Sequence, residues 1–126
     1  MTTSPLPRLR KLCLALPEAH EAVAHGEPTF RVRKKQFAMY ASANTHHGHG
    51  QSAVWIKSTP DEQDFLIQAR PEHLFKPPYV GHMGWIGVPL DGDVDWVELE
   101  GLLRHGYALV APKRLLTQLG PVPAYR

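Results

Sequence analysis

"TFRVRKKQFAMY", residues 29–40, decides the fold of this chain. Phe30 and Val32 fall on one side of an extended backbone, and Arg31 and Arg33 on the other. Alternation with a period of two is the mark of a strand, since a helix returns an apolar residue to the same face every third or fourth position. Lys34 and Lys35 interrupt the pattern before Phe37, Ala38, Met39 and Tyr40 resume an apolar run. The Lys34–Lys35 step therefore reads as a tight hairpin turn between antiparallel strands.

Outward from this hairpin, "QFAMYASA" (36–43) and "SAVWIKS" (52–58) continue as strands rich in aromatic and branched residues, joined by a longer connection at 43–51. The period of two runs from Glu21 to Ser58, which predicts an antiparallel meander. Upstream, "SPLPRLRKLCLALPEA" (4–19) places Leu6, Leu9, Leu12, Cys13 and Leu16 at spacings of three and four, with Ser4 as cap and Pro5 at the first helical position. This is an amphipathic helix ended near Pro17. Downstream, "TPDEQDFLIQAR" (59–70) opens a second helix with a capping box of Thr59 and Glu62; Phe65, Leu66 and Ala69 are its expected buried side. "GWIGVPL" (84–90) is a further strand. Asp95 with Glu98 caps a helix through Val110 that Gly101 and Gly106 weaken by about 1 kcal/mol each, and Pro112 starts a last short helix. Helices set apart from an antiparallel sheet make the expected class α+β, one two-layer domain over residues 1–126.

Composition fits this reading. A chain of 126 residues, 43% hydrophobic and 21% charged, buries enough surface to fold without disulfides or metals. Its apolar runs fall far short of the roughly 20 residues that cross a bilayer, and the basic-then-leucine opening is too short for a signal peptide. With a single cysteine, Cys13, no internal disulfide forms, and a cytoplasmic location is expected. Net charge is only +2, yet residues 1–35 carry seven Lys or Arg against three Glu, while 91–100 carry five acids and no base. The chain is electrically lopsided.

Four segments together, "HGEPTFRVRKKQFAMY", "AVWIK", "PPYVGHMGWIGVPLD" and "DWVELEGLLRHGYALVAPKRL", resemble in order and spacing the MmcQ/YjbR-like family of small bacterial proteins, over roughly residues 6–119. The resemblance implies an antiparallel sheet packed on helices, similar in architecture to type III secretion chaperones. It also implies a DNA-binding label and no catalytic residues to carry over. The histidine-bearing stretch at 46–49 departs from the family pattern.

Several groups stand out as candidate sites. His46, His47 and His49 lie on a glycine-bearing connection without the spaced partners that tetrahedral zinc requires, so a loop is expected and no metal. Arg31, Arg33, Lys34 and Lys35, joined by Lys57, form a basic set suited to DNA or another polyanion, with Tyr40 and Trp55 as stacking partners if they share its face. In "FKPPYVGHMGWIG" (75–87), Tyr79, His82, Met83 and Trp85 are expected to cluster among glycines as a ligand pocket, which with the outer sheet face would suit a protein or small-ligand adaptor. Cys13 lies on the buried stripe of the first helix and reads as an inert packed thiol. No nucleophile elbow, phosphate-cradling glycine loop or dinucleotide fingerprint is present, and Asp91, Asp93 and Asp95 lack the glutamate that closes a calcium loop. The expectation is a non-enzymatic binding domain without a cofactor, acting through the basic strand and turn.

Overall fold

A computed structural model of the chain describes residues 4–42 and 51–120. Its elements are α1 (Leu6–Leu14), β1 (Ala19–Ala24), β2 (Glu27–Val32), β3 (Lys35–Ala41), β4 (Ala53–Ile56), α2 (Pro60–Ala69), β5 (Ile86–Pro89), α3 (Trp96–Val110) and α4 (Lys113–Leu119), with one 3-10 turn at Gly81–Met83. The five strands lie in chain order in one sheet, every neighbouring pair antiparallel. The predicted meander and α+β class are what the chain adopts.

The hairpin closes one residue earlier than the sequence suggests. Val32 lies opposite Lys35, so Arg33 and Lys34 form the connection, and Arg33 takes a left-handed backbone at φ 57°. Arg31 and Arg33 therefore do not share a strand face. Between the two strands the register slips: Phe30 faces Ala38 but Arg31 faces Gln36, which leaves Phe37 as a bulge. The extra residue lets Phe37 and Ala38 both enter the core on the helix side.

That core joins Phe30, Val32, Phe37 and Ile56 of the sheet to Leu9 and Cys13 of α1, Leu99, Leu103 and Tyr107 of α3, and Leu115 of α4. Gly106 permits the close approach of α3. A Cβ there would lie 2.8 Å from the Ile56 Cγ2 methyl and 2.9 Å from the Lys57 carbonyl oxygen. Tyr107 meets Phe37 edge-on with ring centres 5.6 Å apart, and its hydroxyl donates to the Pro17 carbonyl at 2.7 Å, tying the α1–β1 connection to α3.

On the opposite face, Met39, Ala41, Ala53, Trp55 and Trp85 form a second cluster covered in part by Phe75 and Val80. Phe75 exchanges backbone hydrogen bonds with Gly87 at 2.9 and 2.7 Å, and its ring fills the place of the missing side chain, under 3 Å from where a Cβ would stand. Two of the three predicted caps form as expected, Thr59 accepting from the Glu62 N–H at 3.3 Å and Asp95 from the Glu98 N–H at 3.0 Å. Helix α1 instead starts one residue later, with Pro5 at the cap position and Ser4 Oγ accepting from the Leu6 N–H at 3.3 Å. The buried side of α2 matches the predicted one at Leu66 alone. Gln63 and Leu66 face inward, while Phe65 and Ala69, on the opposite flank of the helix, are exposed. Gln63 is tolerated inside because its amide donates to the Gly81 and Trp85 carbonyls, both at 2.7 Å.

Candidate functional site

The five basic candidates are divided between two places. Arg31 projects from the penultimate position of β2 on the face away from the helices, beside Met39 and Trp55. Lys57, just after β4, has its ammonium 5.9 Å from the centre of the Trp85 ring. Arg33, Lys34 and Lys35 stand apart from both at the β2–β3 turn, beside the end of α3, where they border an open groove of about 720 Å³ floored by Leu109, Val110, Ala111 and Pro112.

This turn gains a partner that sequence spacing did not reveal. The Glu18 carboxylate pairs with Arg33 at 3.1 Å and with Arg114 of α4 at 3.4 Å. Cations 81 positions apart in the chain are thus drawn together, with Lys113 next to Arg114. Lys34 and Lys35 are exposed and pair with no carboxylate among the described residues.

The aromatic candidates do not form one cluster. Trp85 is 6% exposed, packed in the outer-face core, whereas His82 and Met83 face solvent on the 3-10 turn. Tyr79 is 59% exposed, and its ring stands 6.3 Å from that of Trp55 at a tilt of 43°. It helps to line a groove of about 270 Å³ with Arg31, Gln36, Met39, Trp55 and His25. One residue from each of two sequence candidates, Arg31 and Tyr79, therefore meets in a single place. Tyr40 is on the other side of the sheet, buried, with its hydroxyl 3.4 Å from Ser52 Oγ, so it does not join Trp55 as a stacking partner.

The acidic residues collect at the far end of the sheet. Asp91, Asp93, Asp95, Glu72 and Glu98 line a small pocket with His73. Asp91 accepts from the Ser52 N–H at 2.9 Å, Asp95 caps α3, and Glu98 pairs with Arg70 at 2.9 Å, so these carboxylates have structural duties. Glu62 turns from its capping box to meet His105 of α3, a contact joining α2 to α3. Among the described residues no group of three or more His, Cys, Asp or Glu is placed to hold a metal. His46, His47 and His49 lie outside the described residues. Cys13 is fully buried, and burial, reinforced by Glu21, pushes its thiol far above the ordinary range. No helix among the described residues is long and apolar enough to cross a membrane.

Comparison with known proteins agrees with this architecture. The crystal structure of Deinococcus radiodurans protein DR2400, of the DUF419 domain, is similar with a TM-score of 0.72 and 24% identity, over 98% of this chain and 96% of that one. At such identity the likeness carries the fold alone. No curated protein matches the chain. A family model described as YjbR matches residues 14–109, from the end of α1 almost to the end of α3, and the chain belongs to the YjbR family.

Proposed function

We propose that this domain binds nucleic acid weakly and without sequence preference, at the β2–β3 turn and the start of α4. The observation that carries the reading is the pairing of Glu18 with both Arg33 and Arg114, which adds α4 to the basic turn. Arg33 and Arg114 share the Glu18 carboxylate, and Lys34, Lys35 and Lys113 adjoin them in the chain, a local excess of positive charge on a molecule with a net +2. Phosphate contacts of this kind act through release of counterions and give affinity without base readout. The groove floor at Leu109–Pro112 offers the backbone a shallow seat between the cations.

Four cations, Arg33, Lys34, Lys35 and Arg114, each neutralising one phosphate, give an expected slope of log K against log salt of about −3.5. A fluorescently labelled oligonucleotide titrated with the protein checks this by anisotropy. Absence of binding at about 50 mM salt and micromolar protein would end the proposal, because nonspecific binders are strongest there. The combined variant K34A/K35A/R114A should weaken binding and flatten the slope by roughly one for each cation removed. Lys57→Ala, which removes a cation committed to Trp85, should leave the slope where it was.

A further inference from the structure

We infer that the outer-face groove is a separate binding site for a small planar aromatic molecule carrying one negative charge. Arg31 is the first reason. Arg10, Arg33, Arg70 and Arg114 each meet a carboxylate. Arg31, half-buried in the groove wall, meets none among the described residues, and residues 43–50 contain no Asp or Glu. Its Nε donates to Thr29 Oγ1 at 3.1 Å, and that hydroxyl donates in turn to the Ala22 carbonyl at 2.8 Å. The guanidinium is thereby oriented while its terminal nitrogens stay available as a fork for an anion. A cation taken partly out of water without a counter-charge is costly, and an anionic ligand removes that cost.

The remaining walls select the rest of the ligand. Gln36 adds a hydrogen-bonding group, and among the described residues no acid lines the groove. Met39, Trp55 and Val80 supply an apolar, polarizable floor. Also lining the groove, the exposed Tyr79 ring is presented by a left-handed backbone, φ 66°, which is uncommon for a bulky residue and persists where surrounding structure enforces it. A ring laid over Met39 beside Tyr79 would direct its charged substituent to Arg31. At about 270 Å³ the groove sits at the small end of ligand pockets, enough for one or two fused rings and too little for a folded segment.

Either a carboxylate or a phosphate can bear the charge, so the test uses one probe of each kind with its uncharged counterpart: indole-3-acetate against indole-3-acetamide, and adenosine 5′-monophosphate against adenosine. Carbon-13 methyl resonances report the site directly through Met39, with Met83 as an internal reference outside the groove. One of the anions is expected to shift the Met39 methyl saturably with a Kd below about 1 mM, at least tenfold tighter than its neutral counterpart. Arg31→Gln should abolish that preference while the neutral probe binds as before, and Tyr79→Ala should weaken both. The inference is overturned if no probe moves Met39 at about 5 mM, if anion and neutral probe bind alike, or if Arg31→Gln leaves the preference intact. Should Arg31→Gln not fold, the anion-against-neutral comparison on the unaltered protein decides alone. The oligonucleotide experiment is read at other residues, so either proposal can fail without the other.

Discussion

Gln63 is the residue on which the outer layer of the molecule turns. Its amide holds two carbonyls, of Gly81 and Trp85, that belong to a loop 18 and 22 positions further along the chain. Replacing it with leucine keeps volume and removes both donors. A buried group left without its partner costs about 1–3 kcal/mol, so Gln63→Leu should lower stability by roughly 2–4 kcal/mol in a urea titration followed by tryptophan fluorescence. Helical periodicity ranked Phe65 above Gln63, because periodicity weighs transfer from water and has no knowledge of acceptors supplied from elsewhere. Arg31 and Tyr79 were singled out in the sequence for different reasons, and only the folded sheet places them in one groove. Arg114 was not legible at all, because its association with the turn depends on Glu18 and on the return of the chain through α4.

At the level of elements, Gly106 poses a question of sign. In an isolated helix, alanine in place of glycine stabilises by about 1 kcal/mol. Here the added methyl would press against Ile56 and the Lys57 carbonyl at under 3 Å, and overpacking of a tight core costs typically about 1–3 kcal/mol. Since backbone oxygen and a packed sheet give little ground, Gly106→Ala should lower the thermal midpoint, which calorimetry measures. The sequence recognised Gly106 as a weak point of α3 but not as the contact that lets α3 lie on the sheet. Local signals fared better: the caps at Thr59 and Asp95 and the alternation around Phe30 and Val32 concern residues within a few positions of each other, and these elements stand where expected. The Phe37 bulge had no local signal, because it is set by how β2 and β3 share the helices above them.

For the molecule as a whole, charge is separated along the sheet, with the basic turn at one end and the acidic pocket around Asp91 at the other. A polyanion approaching such a dipole meets the turn first, an effect that salt screens over about 10 Å at 0.1 M. Stability should also depend on pH in one direction. Burial, with Glu21 adding to it, raises the Cys13 pKa, and burial likewise raises that of Tyr107, with Glu18 adding to it and Arg33 opposing. For acids whose folded pKa lies above the unfolded one, stability is complete below the unfolded value and declines as pH rises past it. The decline should therefore begin near about pH 8.5, where an unfolded thiol ionises, and steepen near about 10 with the phenol. Urea midpoints measured from pH 7 to 10.5 follow this, and Cys13→Ala should remove the earlier part of the fall.

The pairing of Phe75 with Gly87 has a consequence for how copies of the molecule meet. It occupies the outer margin of β5, and Pro89, lacking an N–H, blunts that margin further. At the opposite margin β1 pairs only with β2 among the described residues, and Val23 there is bare to solvent. A strand offered from outside finds one place to add, not two. Were copies to join through strands at β1, a sheet with one open margin among the described residues would accept one neighbour and then have nothing left to extend, so such joining would stop at pairs.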